Sequence, residues 1–132
     1  MYLMTAVAMQ DYEKLLNMIM EANKYVRFAA ICDHDANILW SSKREGTQKI
    51  LNIEETKSLL KRAVDNWQVR EGLSPKIGKG QYAIVGYEKI KRITIPLGNH
   101  HLMFLSVEGE KPEYIKDVMN IIKFVEEHPT LS

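Results

Sequence analysis

Arg92-Ile93-Thr94-Ile95-Pro96-Leu97-Gly98-Asn99-His100-His101-Leu102-Met103-Phe104-Leu105-Ser106-Val107 carries the topology of this chain in its spacing. Ile93, Ile95 and Leu97 alternate with Arg92, Thr94 and Pro96, the pattern of a strand with one wetter face that lies away from the centre of its sheet. The next strand, residues 101–107, contains Leu102-Met103-Phe104-Leu105, apolar on both faces, which predicts a central strand covered on both sides. Only Gly98-Asn99-His100 separates the two runs, so they must be antiparallel neighbours.

Upstream, residues 81–87 form a third strand across the short link Glu88-Lys89-Ile90-Lys91, with Tyr82, Ile84 and Gly86 facing one way and Ala83, Val85 and Tyr87 the other. Residues 27–32 and 38–42 flank Asp33-His34-Asp35-Ala36-Asn37. Short Asp and Asn side chains bond their own backbone and tolerate left-handed dihedrals, so this unit reads as a β-hairpin. Three helices complete the pattern. The first is expected from the N-cap Asp11, or a turn earlier at Thr5, with Tyr12, Leu15, Leu16, Ile19 and Ala22 on one face. The second opens at Asn52, with Glu55 three residues on as in a capping box. Its stripe is Thr56, Leu59, Leu60, Ala63, Val64 and Trp67, and Gly72 followed by Pro75 ends it. The third opens at Pro112, carries Tyr114, Ile115, Val118, Met119, Ile121, Ile122 and Val125, and closes at His128-Pro129.

The predicted class is therefore α+β in the order helix-β-β-helix-β-β-β-helix, a five-stranded antiparallel sheet flanked by three helices. Residues 1–9 read as an N-terminal stub, 10–128 as a single domain and 129–132 as a tail. The chain has 132 residues, 45% hydrophobic and 27% charged, the balance of one well-cored domain. Its 18 basic and 17 acidic residues leave a net charge of +1, so no global field recruits nucleic acid or an anionic membrane, and neither is an expected partner. A lone cysteine, Cys32, and a start without the basic region of a secretory signal suit the cytoplasm.

Sites of chemistry are sparse. Asp33, Asp35 and Asn37 match the first ligands of an EF-hand loop, but Ile38 and Arg44 stand where its glycine and bidentate glutamate belong, so turn chemistry is the reading. If the first strand lies beside the fifth, Cys32 and His34 approach His100 and His101. Adjacent histidines point to opposite faces in extended chain, so only one of them can join, and neither a metal nor a cofactor is expected. No serine elbow surrounds a nucleophile, and Gly78-Lys79-Gly80 lacks the spacing and helix of a phosphate-binding loop. No catalytic residue is assigned and no enzyme is expected. Basic clusters at Lys43-Arg44, Lys61-Arg62 and Lys89-Ile90-Lys91-Arg92 are diluted by acids.

The informative feature is an excess of apolar surface: one sheet covers two helices on one face, leaving the other face to the second helix or to another molecule. The element order, the aspartate-bearing hairpin Ala30-Ile31-Cys32-Asp33 to Ile38-Leu39-Trp40-Ser41, and the step Pro96-Leu97-Gly98-Asn99 resemble the roadblock, or dynein-light-chain, domain within the profilin-like and PAS-like folds. The resemblance covers about residues 9–128, and the family's hairpin usually has a glycine where this chain has Ala36 or Asn37. The chain is also similar to small proteins of ammonia-oxidising archaea, which implies no function. The roadblock resemblance implies a homodimer formed by the second helix and the neighbouring strand, here Leu59, Leu60, Ala63, Val64 and Trp67 with Tyr82, Ile84 and Gly86. It further implies a non-catalytic scaffold or regulator of a protein partner such as a small GTPase. A PAS-like sensor is the alternative, holding a small ligand or metal between sheet and helices with Phe28, Trp40, Tyr82 and Phe104 as walls and Cys32, His34 and His101 nearby.

Overall fold

The computed structural model describes residues 2–47, 50–109 and 114–127. The elements run α1 (Tyr2–Ala22), β1 (Val26–Cys32), β2 (Ile38–Lys43), α2 (Ile53–Glu71), α3 (Ser74–Ile77), β3 (Ala83–Gly86), β4 (Ile90–Pro96) and β5 (Leu102–Glu108), with α4 (Tyr114–Glu126) last. All pairings are antiparallel, in the order β2-β1-β5-β4-β3. β5 is central, as its two apolar faces require, and β1 lies beside it. α1 and α4 cover one face through Tyr12, Leu15, Leu16, Val118 and Ile122 packed on Ile31, Ile93, Met103 and Leu105. α2 covers the other face through Leu60, Val64 and Trp67, packed on Cys32, Leu102 and Phe104.

Several boundaries differ from the sequence reading. α1 begins at Tyr2, and Asp11 lies inside it rather than capping it. A fourth, one-turn helix, α3, follows α2, because Pro75 falls in its first turn, where a missing N–H does no harm. β3 is shorter than residues 81–87, and Tyr82 precedes it. β4 begins at Ile90 and is an interior strand, not one with a wet face: Arg92 and Thr94 are each only 7% exposed, Thr94 beneath Trp67 of α2 and Arg92 against the Phe104 ring. The third helix's expected start at Pro112 and its end at His128-Pro129, like the tail, fall outside the described residues.

Local chemistry explains the joints. The Asn52 side chain accepts from the Glu55 N–H at 2.8 Å while the Asn52 N–H donates to Glu55 Oε1 at 3.0 Å, so the capping box of α2 is complete. In the β1–β2 hairpin, Asp33 Oδ1 accepts from the N–H groups of Asp35 and Asn37, each at 2.9 Å. Ala36 sits in the left-handed region at φ 65°. The glycine usual in roadblock hairpins would adopt that conformation without the clash of Cβ with the following carbonyl. Arg44 clamps the end of α1 to the sheet, donating to the carbonyls of Met20, Asn23 and Val26 at 2.7–2.9 Å. Carbonyls at a helix end have no partner within their own helix.

Trp67 fastens α2. Its indole N–H donates to Thr94 Oγ1 on β4 at 2.7 Å, and the Arg70 guanidinium lies 4.9 Å from its ring centroid. Gly80 presses on the ring so closely that a Cβ there would lie 2.4 Å from Trp67 Cζ3. Two substitutions test these joints by urea denaturation. Ala36→Gly relieves the turn and raises stability by about 0.5–1 kcal/mol, after allowing for the packing of the methyl group it removes. Gly80→Ala pushes the indole off its seat and lowers stability by roughly 1–3 kcal/mol.

Candidate functional site

Three features of the surface bear on function: an open sheet edge, a cleft under α2, and a cluster of histidines at one strand end. At the edge, β3 pairs with β4 over only four residues, and β4 supplies its one partner strand among the described residues. Val85 shares a register row with Arg92, on the side that α2 covers, yet it is 53% exposed because α2 does not reach it. Val69 in the last turn of α2 and Ile77 in α3 are 71% and 79% exposed, and Leu73 between the two helices and Tyr82 and Tyr87 on either side of β3 are exposed as well. A strand edge without a partner among the described residues, beside so much exposed apolar surface, is unusual for a lone subunit.

The structure divides the residues anticipated for a dimer. Leu60, Val64 and Trp67 are buried against the chain's own sheet, so they do not face outward. Leu59 and Ala63 are half-buried, Gly86 is exposed, and Ile84 points to the opposite face, toward the core under α1 and α4. Tyr82 is exposed just before β3. Val69, Leu73, Ile77 and Val85 are large apolar residues left exposed near this edge that the sequence reading did not place in the set. The four-residue spacing of Val69, Leu73 and Ile77 was the signal available for three of them.

The anticipated ligand walls also separate. Phe28 and Phe104 meet edge-to-face, with centroids 6.4 Å apart, and line a cleft of about 320 Å³ beneath the N-terminal half of α2. Trp40 packs on the other face of the sheet, with the core under α1 and α4, so it cannot share that cleft. Tyr82 lies at the β3 end of the molecule and does not line it.

His34, His100 and His101 come together, though not as extended chain would have them, while Cys32 lies in the core under α2 and does not line their cleft. Asn99 and His100 adopt left-handed dihedrals, φ 62° and 60°, in a single 3-10 turn, and both His100 and His101 therefore line one cleft with His34. Among the described residues no group of three His, Cys, Asp or Glu side chains is placed to hold a metal ion. Cys32 is fully buried, and its thiol is pushed up to about 11 by that burial and by Asp33, which keeps it protonated and unreactive. Tyr12, pushed up to about 12 chiefly by burial, keeps its proton, and its hydroxyl shares a hydrogen bond of 2.6 Å with His101 Nδ1 in a direction set by the His101 tautomer.

Burial holds the pKa of His101 below its ordinary value, with His34 and His100 adding to the effect and Asp33 opposing it. The unfolded chain takes up this proton near pH ~6.5, whereas the folded chain resists it. The stability tied to neutral His101 is complete above that pH and is lost progressively as pH falls toward the depressed value. Urea midpoints measured from about pH 7 down to about pH 5 should therefore drop less in His101→Gln than in the wild type. Equal slopes would remove His101 as the cause.

No family model and no curated protein matches the sequence. Solved structures do match the fold. The gliding protein MglB from Thermus thermophilus superposes with a TM-score of 0.63 at 15% identity, covering 91% of this chain and 92% of that one. MglB from Myxococcus xanthus gives 0.65 at 15% identity, with 89% of each chain covered. A Roadblock/LC7 domain from Streptomyces avermitilis gives 0.60 at 9% identity, over 86% of this chain and 93% of that one. With its five-stranded antiparallel sheet, two long helices on one face and one on the other, the chain has the roadblock fold.

Proposed function

We propose that this chain is a non-catalytic interaction module that works as a homodimer and regulates another protein, with a small GTPase as the partner class the roadblock resemblance implies. The observation that carries the reading is the unpaired edge of β3 beside exposed Val85, Val69 and Ile77. Two copies related by a two-fold axis would pair β3 with β3 antiparallel, satisfying the free backbone groups of both edges and extending the sheet through the dimer. The same pairing would cover the apolar residues that follow α2. A solved MglB structure is described as having a tetrameric arrangement, which supports self-association in proteins of this fold. The dimer surface proposed here differs from the set read off the sequence, since Leu60, Val64 and Trp67 belong to the subunit's own core. A ligand-holding sensor is the second reading, and the cleft over Phe28 and Phe104 is what favours it.

Sedimentation equilibrium separates these states. The wild type should run as a dimer at micromolar concentration. Val85→Lys, which puts a charge on the edge face without touching the core, should run as a monomer with an unchanged thermal melt. A wild type that is monomeric throughout that range, or a Val85→Lys protein that stays dimeric, would remove the β3 edge as the interface.

A further inference from the structure

Register places Lys43, Phe28, Ser106, Arg92 and Val85 in one row across the sheet, one residue from each strand, all on the side of α2. The inward stripe of α2, Leu60, Val64 and Trp67, packs on the neighbouring rows that carry Phe104, Thr94, Cys32 and Leu102, so the row through Ser106 and Arg92 is left open beneath the helix's first turns. That opening is the cleft of about 320 Å³, with Ile90 beside Arg92 and with Thr56 and Leu59 as its helical wall.

Its charge is one-sided. Among the described residues lining it are Arg27, Lys43 and Arg92, and no Asp or Glu. Arg27 is bonded to Glu108 at 2.6 Å, and Lys43 stands exposed at the rim. Arg92 differs from both. It is only 7% exposed, its guanidinium lies over the Phe104 ring at 4.5 Å, and its Nε has no hydrogen-bond partner among the described residues. Burial draws its pKa down, while the Tyr87 phenol supports its charge. A guanidinium stays protonated at neutral pH. A buried cation with an unmade bond is an expensive arrangement in a chain whose other buried polar groups are mostly satisfied.

We propose that the cleft between α2 and the sheet binds a small amphipathic monocarboxylate, its carboxylate on Arg92 beside Ser106 and its hydrocarbon body along Phe28, Phe104 and Leu59. The forked guanidinium suits the two oxygens of a carboxylate, and with Phe104 on its face and Tyr87 bonding it, the side chain is held in place against the cleft. The remaining lining is predominantly apolar, which favours a chain or ring over a compact, fully hydrated anion. This site rests on the ligand-holding reading of the cleft and not on the dimer, since none of its lining residues is on the β3 edge.

Isothermal titration calorimetry of the purified full chain tests it, with submicellar decanoate as the probe and decanol and inorganic phosphate as controls. Decanoate should bind at least about tenfold more tightly than either control, the worth of one charged hydrogen bond. Arg92→Met should weaken decanoate binding by about tenfold or more, while its urea midpoint stays close to that of the wild type, because a buried charge with one unmade bond is replaced by an apolar side chain of similar length. Should Arg92→Met fail to fold, Thr56→Trp keeps Arg92, fills the cleft from the helix side and should abolish binding. The proposal is overturned by absence of decanoate binding at millimolar concentration, by equal binding of decanol or phosphate, or by undiminished affinity in whichever variant folds.

Discussion

The seating of Trp67 on β4 governs the rest of this structure. One hydrogen bond to Thr94, one glycine beneath the ring and one arginine above it set where a 19-residue helix lies on its sheet. An indole buried with its N–H unmet would be unfavourable, and a helix shifted by a turn would leave it so. With Trp67 in place, Leu60 and Val64 must fall on the rows through Cys32, Leu102 and Phe104. The side of α2 that remains outward, and the part of the sheet that remains bare, follow from that placement.

Two consequences matter for function. The connection after α2 carries its apolar residues outward to the β3 edge, which has backbone groups to offer a second strand. The first turns of α2 stand over a row of the sheet that includes a buried arginine, and a cleft opens there. The edge is suited to a flat, extended partner, whereas the cleft is suited to a small molecule. They lie at different places on the same α2 face, so the fold can carry both roles.

Much of the architecture was legible before any coordinates. The hairpin at Asp33, the capping box at Asn52, the central strand at Leu102 to Leu105 and the termination of α2 at Gly72 each depend on a few neighbouring residues and were read correctly. Where the reading failed, the deciding contact came from far along the chain. Arg92 and Thr94 have the polar alternation of a wet face, but Trp67, more than twenty residues away, covers Thr94, and Phe104 on the next strand takes the Arg92 guanidinium. Arg44 looked like a member of a surface basic cluster and proved to be the clamp on α1, because three carbonyls converge on it. His100 and His101 share a side because left-handed dihedrals replace the extended chain assumed for them.

The candidate sites were less legible than the fold for the same reason. Periodicity identified the apolar stripe of α2, yet it could not say whether that stripe served the subunit or a partner, since burial by self and burial by another chain demand the same residues. Element order, strand character and the two capped turns were encoded locally, in hydrogen bonds and alternations spanning a few residues. The outward face of α2, the emptiness beneath its first turns and the burial of Arg92 were settled only by packing, because each depends on how elements distant in the chain sit against one another.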